Sequence, residues 1–228
     1  MTKIDFDQYA GQYEALIAAQ TGLFDRDNDY FVRYKVERAK QLAGQSLTDE
    51  VAAVLDFGCG VGRAMPHFRA AFPNADVVGC DPSADSLTIA RRDNPDCRFL
   101  GLDKLSAATK FDLVLASCVF HHIAPAERQD ALRYCHDRLK PGGHFVIFEH
   151  NPFNPVTRHL VNTCPFDADA VLLTMRETMR RMREAKFDIA ATGYCLFFPA
   201  QLASLRPLEK YLSWLPLGGQ YFVSGVRA

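Results

Sequence analysis

Short apolar runs alternate with longer amphipathic stretches along most of the chain. The short runs predict strands over residues 51–57, 75–80, 97–100, 111–117 and 144–149. The fourth of them is a nearly continuous apolar run, as in strands that are buried on both faces. Strands separated by helical stretches in this way predict βαβ units around a parallel sheet.

The N-terminal residues, 1–45, depart from this alternation. A helix is predicted over 30–42, with Gly44 as its stop. Because this segment precedes the first strand, we expect it to cover the sheet as a helical lid. An earlier helix is predicted from apolar and aromatic positions at Tyr9, Tyr13, Leu16 and Ile17.

The C-terminal part also breaks the alternation. Residues 151–186 are interpreted as an insertion after the fifth strand, with a loop rich in proline and asparagine followed by one long helix over 167–186. Residues 187–198 and 220–226 predict a closing antiparallel pair. Between them lies the apolar stretch 202–217. It is interpreted either as a helix packed on the sheet or as a segment that contacts a membrane surface or lines a hydrophobic ligand pocket.

The composition is that of an ordinary globular protein, since 48% of the 228 residues are hydrophobic and 23% are charged. The length favours one domain over residues 1–228, and the formal net charge of -1 gives no reason to expect a nucleic-acid partner. The 7 cysteines form no Cys-x-x-Cys pair, so we expect reduced thiols. No signal peptide or membrane-spanning run is recognisable, and we expect a cytoplasmic protein.

Chemistry is concentrated in a glycine-rich turn, where the first strand should pass into a helix. Residues 54–63 read Val-Leu-Asp-Phe-Gly-Cys-Gly-Val-Gly-Arg. Glycines allow a ligand to approach the backbone closely before a helix. A dinucleotide would require a glycine where Arg63 stands, and its pyrophosphate would be repelled by Asp56.

S-adenosylmethionine fits these residues better, because it carries an ammonium and a sulfonium and no phosphate. Asp56 would then attract the ligand, and the bare backbone of Gly58 and Gly60 could lie against its methionine moiety. Asp81 ends the second strand, where a carboxylate can accept hydrogen bonds from both ribose hydroxyls. These residues therefore favour a nucleoside with cationic groups.

Four motifs in consistent order resemble those of the class I S-adenosylmethionine-dependent methyltransferases, in particular the methyltransferase type 11 and type 12 families. They are the glycine-rich turn, the acid that ends the second strand, Phe-Asp-Leu-Val-Leu at 111–115 and Leu-Lys-Pro-Gly-Gly at 139–143. The resemblance implies an α/β, Rossmann-like, doubly wound fold with a seven-stranded sheet, mostly parallel with an antiparallel last strand. It also implies S-adenosyl-L-methionine as the cofactor, across the carboxyl ends of strands one, two and four.

The resemblance, carried over position by position, places the cofactor on the turns after these strands. The usual acidic contact to adenine falls on Leu102 here, so this contact stays open between the Leu102 backbone and the Asp103 side chain. Ser117 and Cys118 match the position beside the reactive methyl group. The expected cofactor-binding residues are Asp56, Gly58, Cys59, Gly60, Asp81, Pro82, Leu102, Asp103, Ser117 and Cys118.

Three histidines near the same edge of the sheet are candidates for catalysis on the acceptor side. His121 and His122 follow the fourth strand, and His150 ends the fifth beside Glu149. His150 is the preferred general base, and the alternative for all three is a structural role in holding the loops. Glu149 and His150 have no third ligand at a familiar spacing, so no metal site is expected.

The methyl acceptor is the least determined part of the prediction. Arg176 and Arg180 share a helix face that could receive an anionic acceptor, although a solvated face is the simpler interpretation. We expect methylation of an oxygen atom on a small-molecule or lipid-linked acceptor. The alternatives are N- or C-methylation of a metabolite, a nucleic-acid acceptor, which lacks its usual motif here, and a non-catalytic cofactor-binding scaffold.

Overall fold

In the computed structural model, which describes residues 7, 11, 16, 29–44 and 52–228, helices alternate with strands. The strands are β1 (Ala53–Phe57), β2 (Asp76–Asp81), β3 (Arg98–Gly101), β4 (Phe111–Ser117), β5 (Leu139–His150), β6 (Phe187–Cys195) and β7 (Gln220–Arg227). The α-helices of these ranges are α1 (Tyr30–Ala43), α2 (Met65–Ala71), α3 (Ala84–Asp93), α4 (Arg128–Asp137), α5 (Pro155–Thr163) and α6 (Met175–Glu184). Short 3₁₀ segments include Phe120–His122, Pro165–Asp167 and Ala200–Tyr211.

The seven strands form one sheet in the order β3-β2-β1-β4-β5-β7-β6. β1 pairs in parallel with β2 and β4, and the pairs β2–β3 and β4–β5 are parallel as well. β7 runs antiparallel to both β5 and β6. The predicted sheet is therefore confirmed. The strand order reverses at β1 and β4, and ligands of such sheets bind in the crevice outside the carboxyl ends of the strands at this point.

Helices cover both faces of the sheet. Leu55 and Val114 point to the face that packs with residues of α4 and α6. Val54 and Leu113 point to the other face and pack with residues of α1, α2 and α3. The central strands are apolar on both sides because neither face meets water.

The N-terminal cover is described only in part. α1 confirms the helix predicted over 30–42, and Gly44 ends it with a φ of 61°. The earlier predicted helix, around Tyr9, Tyr13 and Ile17, lies outside the described residues.

The single helix predicted over 167–186 is wrong. α5 occupies part of the segment that was expected to be a loop, and α6 begins only at Met175. The backbone N–H of Val171 donates to the His121 carbonyl at 2.9 Å, which draws this stretch into a contact between loops. The Thr174 side chain then caps α6 by accepting from the Glu177 N–H at 3.1 Å, which is the spacing of a capping box.

Two further segments differ from their predictions. The strand predicted over 144–149 begins earlier, because β5 includes residues 139–143, where Leu139 pairs with Phe111 before a register shift. The stretch 202–217 is not a helix packed on the sheet. It is a 3₁₀ segment over Ala200–Tyr211 followed by an irregular stretch, and both expose large apolar side chains. The exposed side chains are Leu202, Leu205, Leu208, Tyr211, Trp214 and Leu217.

Candidate active site

The glycine-rich turn is anchored to the end of the neighbouring strand. The N–H groups of Gly58 and Cys59 both donate to the Cys80 carbonyl, at 2.8 and 3.0 Å. Gly58 has a φ of 76°, and a Cβ atom there would lie 2.5 Å from Cγ2 of Val119. The turn therefore needs glycine at this position to run past the loop that follows β4.

Asp81, at the end of β2, is oriented by two backbone N–H groups. Its Oδ2 accepts from the Gly60 N–H and its Oδ1 from the Ser83 N–H, each at 2.9 Å. Burial raises the pKa of Asp81, and these two hydrogen bonds oppose the rise. Ser83 also caps α3 by accepting from the Ser86 N–H at 3.0 Å, so the carboxylate is held at a helix start.

A cavity of about 480 Å³ lies at the carboxyl ends of β1, β2 and β4. The opposite wall comes from α4 and from the insertion, with residues such as Tyr134 and Phe166. Among the residues that the structure describes, Asp56, Cys59 and Asp103 lie outside this lining. The expected cofactor-binding residues that border the cavity are Gly58, Gly60, Asp81, Pro82, Leu102, Ser117 and Cys118.

Leu102 borders the cavity after β3, whereas the Asp103 side chain does not. The Leu102 carbonyl accepts a hydrogen bond from the Tyr134 hydroxyl at 2.9 Å, which ties this backbone to α4. The Asp103 side chain is 74% exposed and lies 3.1 Å from Lys104 Nζ. Of the two adenine contacts left open by the sequence, Leu102 is therefore the one at the cavity.

Asp56 is buried at the base of the glycine-rich turn. Its Oδ2 has no hydrogen-bond partner among the described residues. Burial, followed by the nearby charge of Asp81, raises the pKa of Asp56 to about 7, while the charge of Lys35 lowers it. A buried carboxylate oxygen without a donor is costly, and the ammonium group of S-adenosylmethionine would satisfy it.

A lysine of α1 reaches the end of β4, where Cys118 stands. Lys35 Nζ donates to Ser117 Oγ at 3.0 Å and lies 3.3 Å from Cys118 Sγ. Gln220 Nε2 donates to the same sulfur at 3.3 Å. Burial alone would raise the pKa of Cys118, but the charges of Lys35 and His150 outweigh burial and lower this pKa to about 6. Cys118 is therefore a thiolate at neutral pH.

His150 contacts this thiolate and does not border the cavity. It hydrogen-bonds to Cys118, and its ring centroid lies 4.9 Å from that of His121. Its backbone pairs with Gln220 of β7. His150, which the sequence favoured as the general base, is therefore separated from the cavity and contacts Cys118, which borders it.

His121 links the loop after β4 to the end of β5. Its Nδ1 lies 2.6 Å from Glu149 Oε2, and Glu149 Oε1 accepts from the N–H groups of Val119 and Phe120. Burial opposes the charged forms of both side chains, but each stabilises the other. The pKa of His121 is raised to about 10, with a contribution from Asp167, and that of Glu149 is lowered to about 2.

His122 is the candidate histidine that borders the cavity. Its Nε2 lies 3.3 Å from Asp167 Oδ1, and its Nδ1 lies 3.9 Å from Asp169 Oδ1. Burial, together with the charge of His121, lowers the pKa of His122 to about 3. The ring is therefore neutral at physiological pH.

Three charged residues near this site were missed in the sequence analysis. Lys35 had a signal, since it stands four and eight residues before the buried Ala39 and Ala43 of α1, in the register of the buried stripe. Asp167 and Asp169 had none, because the histidines that they approach belong to a distant part of the chain.

Comparison with known proteins agrees with this geometry. Residues 55–145 match the family described as "Methyltransferase domain". An uncharacterized methyltransferase of Synechocystis sp. is 36% identical over 44% of this chain and 49% of that protein. A trans-aconitate 2-methyltransferase of Azoarcus sp. is 27% identical over 61% of this chain and 56% of that protein. The crystal structure of an S-adenosylmethionine dependent methyltransferase from Mesorhizobium loti has a TM-score of 0.58 and 25% identity, over 82% of this chain and 96% of that one.

Fold, glycine-rich turn and sequence matches together define a methyltransferase domain. Over residues 55–145 the chain accordingly resembles the class I S-adenosylmethionine-dependent methyltransferases, whose cofactor is S-adenosyl-L-methionine. The match spans about half the length of the curated relatives, 49% of the Synechocystis protein and 56% of the Azoarcus protein. Within the described residues, no helix combines the length and the apolar character needed to cross a membrane.

Proposed function

We propose that the protein transfers a methyl group from S-adenosyl-L-methionine to an oxygen atom of a small-molecule acceptor. The observation that carries the proposal is the cavity, which is bordered both by the oriented Asp81 carboxylate and by Ser117, Cys118 and His122. The cofactor, when bound, supplies an activated methyl group whose leaving group is a neutral thioether. The residues of the chain therefore contribute mainly by holding and orienting the two reactants.

On this proposal, each cofactor-binding residue contacts a different part of S-adenosyl-L-methionine. Asp81 accepts hydrogen bonds from the ribose hydroxyls, since both of its oxygens keep a free lone pair. Leu102 contacts the adenine, and the backbone at Gly60, where an added Cβ would meet nothing within 4 Å, faces the methionine moiety. Asp56 compensates the ammonium group. Its buried Oδ2, which lacks a partner in the described chain, supports this assignment.

The acceptor is assigned to the part of the cavity beside His122. A neutral imidazole there can accept a hydrogen bond from an acceptor hydroxyl, whereas His121 and His150 act through the loops and through Cys118. The described lining contains no lysine or arginine, which favours an uncharged acceptor over a nucleic acid. Arg180 of α6 pairs with Glu184 on the surface and does not border the cavity, so it is not assigned to the acceptor. The cavity volume and the relative that is named for trans-aconitate support a small molecule.

Calorimetric titration with S-adenosylmethionine tests the cofactor site. Asp81→Ala should weaken binding at least about tenfold, because it removes the carboxylate that accepts the hydrogen bonds of the ribose hydroxyls. Asp76→Ala is the matched control, since Asp76 stands at the opposite end of β2 and is 50% exposed, and it should leave the affinity unchanged. A wild-type protein that shows no binding would overturn the proposal.

A methylation screen tests the acceptor. The protein is incubated with methyl-labelled S-adenosylmethionine and fractionated cell extract that includes lipids. The expected product is a labelled small molecule with the label on oxygen. Label on nitrogen, on carbon or in nucleic acid would contradict the proposed reaction.

A further inference from the structure

Three metal-ligating side chains converge beside the cavity. One nitrogen each of His121 and His122 and one oxygen of Asp167 all lie within 4.8 Å of one another. We propose that these three residues bind a divalent transition-metal ion of the Zn²⁺ type. No metal was expected from the sequence, because Glu149 and His150 have no third ligand at a familiar spacing. Asp167 is far from the histidine pair along the chain, and only the fold brings it there.

The distances fit coordination better than hydrogen bonding. Asp167 Oδ1 lies 3.3 Å from His122 Nε2 and 3.6 Å from His121 Nε2. This oxygen is buried and has no hydrogen-bond partner within the part of the chain that is described. Bonds of about 2.0–2.1 Å to a tetrahedral Zn²⁺ place two ligand atoms roughly 3.3 Å apart. Hydrogen bonds of the N–H···O type are shorter, about 2.9 Å. The spacing therefore leaves room for an ion between the three atoms.

Neighbouring groups already orient these ligands. Nδ1 of His121 is engaged by Glu149 Oε2 at 2.6 Å, and metal-bound histidines commonly donate their second nitrogen to a carboxylate in this way. The Cys164 thiol hydrogen-bonds to Asp167. The side chains of His121 and Asp167 are 1% and 7% exposed, so their orientation is fixed by packing. An ion would find the site largely preorganised.

The charge around the three ligands favours a cation. Glu149 and Asp169 add two carboxylates to that of Asp167. Arg128, at the start of α4, donates hydrogen bonds to the carbonyls of Ile123 and Val171. Because a metal-bound histidine is deprotonated at its coordinating nitrogen, the ion would take the place of the Nε2 proton of His121, whose positive charge Glu149 balances. The ion would then face the carboxylates of Asp167 and Asp169.

An ion at this site also narrows the class of acceptor, and this step rests on the proposed function. His122 borders the cavity, so the ion would stand next to the space assigned to the acceptor. With the ion bound, the His122 nitrogen that otherwise accepts a hydrogen bond from the acceptor coordinates the ion, and the ion receives the acceptor oxygen in its place. Three protein ligands leave a further coordination position, which an oxygen ligand can occupy. We therefore assign an uncharged acceptor whose hydroxyl oxygen can coordinate a metal ion.

Metal titration of the protein tests the site directly. Zn²⁺ affinity is measured by competition with a chromophoric chelator, and Co²⁺ is added to report coordination through its visible spectrum. The wild type should bind one equivalent, and Asp167→Asn should lose at least about tenfold in affinity. Asp137→Asn is the matched control, because Asp137 forms another His–Asp pair outside the site. Its Oδ1 lies 3.2 Å from His136 Nδ1, and its side chain is 71% exposed. The Asp137→Asn variant should bind as tightly as the wild type.

X-ray absorption of the zinc-loaded wild type keeps the test independent of how a variant folds. Imidazole nitrogen and oxygen neighbours are expected. Sulfur neighbours, which would place the ion on cysteines, or the lack of stoichiometric binding would overturn the metal site. Neither measurement requires methyl transfer. S-adenosylmethionine binding without zinc binding removes this inference alone, and zinc binding without S-adenosylmethionine binding removes the proposed function alone.

Discussion

Cys118 is distinguished from the other cysteines by the charges and donors that surround it. Lys35, Gln220 and His150 all approach its sulfur, and its φ of 58° is unusual for a residue with a side chain. Burial instead raises the pKa of the other thiols for which a shift is resolved, Cys59, Cys80, Cys135, Cys164 and Cys195. One thiol at the cavity is therefore activated while its neighbours are not.

Alkylation by iodoacetamide, followed by mass spectrometry, tests this difference. Because the thiolate is the reactive form, the rate at Cys118 should rise with pH through about 6 and then level off. Lys35→Met should move this inflection to higher pH by removing the charge that stabilises the thiolate. Cys118→Ser identifies the labelled site, and bound S-adenosylmethionine should slow the reaction. An inflection near the ordinary cysteine pKa in the wild type would contradict the assignment.

At the scale of elements, one carboxylate joins β5 to the loop after β4. Glu149 is 0% exposed and contacts His121 as well as the N–H groups of Val119 and Phe120. The parallel pairing of β4 with β5 aligns the two strand ends, and this carboxylate then sets the path of the loop that carries both histidines. The geometry of His121 and His122 thus depends on an element other than their own.

Glu149→Gln tests how much this link contributes to stability. Removing one charge of a buried pair leaves the imidazolium of His121 uncompensated, so the free energy of unfolding should fall by about 3–5 kcal/mol in urea titrations. Glu184→Gln removes a carboxylate that pairs with Arg180 at 2.6 Å on the exposed face of α6, and it should cost at most about 0.5 kcal/mol. Equal effects of the two substitutions would refute the structural role of Glu149.

At the scale of the whole molecule, the burial of the Asp56 carboxylate opposes the stability of the fold at neutral pH. Its pKa is about 7 in the fold, compared with 3.8 for the free side chain. The contribution of the protonated form to stability is therefore complete below about pH 4 and is lost as the pH rises towards 7. A bound ammonium group would reverse this loss, which couples cofactor binding to the release of a proton.

Asp56→Asn should change how the stability depends on pH. Relative to the wild type, the variant should gain stability between about pH 4 and pH 7, by up to about 4 kcal/mol, because it has no carboxylate to ionise. Urea unfolding at a series of pH values measures the difference, with the exposed Asp76→Asn as the control. S-adenosylmethionine should stabilise the wild type more than the Asp56→Asn variant. Parallel pH profiles for wild type and Asp56→Asn would contradict the prediction.

The part of the cavity that is assigned to the cofactor was predictable where its residues lie next to strand ends along the chain. The glycine-rich turn and Asp81 follow directly on strand ends, and parallel strands bring such ends to one edge, so Gly58, Gly60 and Asp81 meet as expected. The acceptor side was not predictable in this way. His150 turned out to lie behind Cys118, and Lys35 and Asp167 approach the site from α1 and from the insertion.

The sequence by itself determined the succession of strands and helices along the chain and the cofactor class, because apolar periodicity and turn chemistry act between residues that are close along the chain. Only the tertiary structure decided which histidine borders the cavity, which cysteine is a thiolate and that Asp167 joins His121 and His122. These properties depend on burial and on charges a few ångströms away in space, and such distances are set when the sheet, α1 and the insertion pack together.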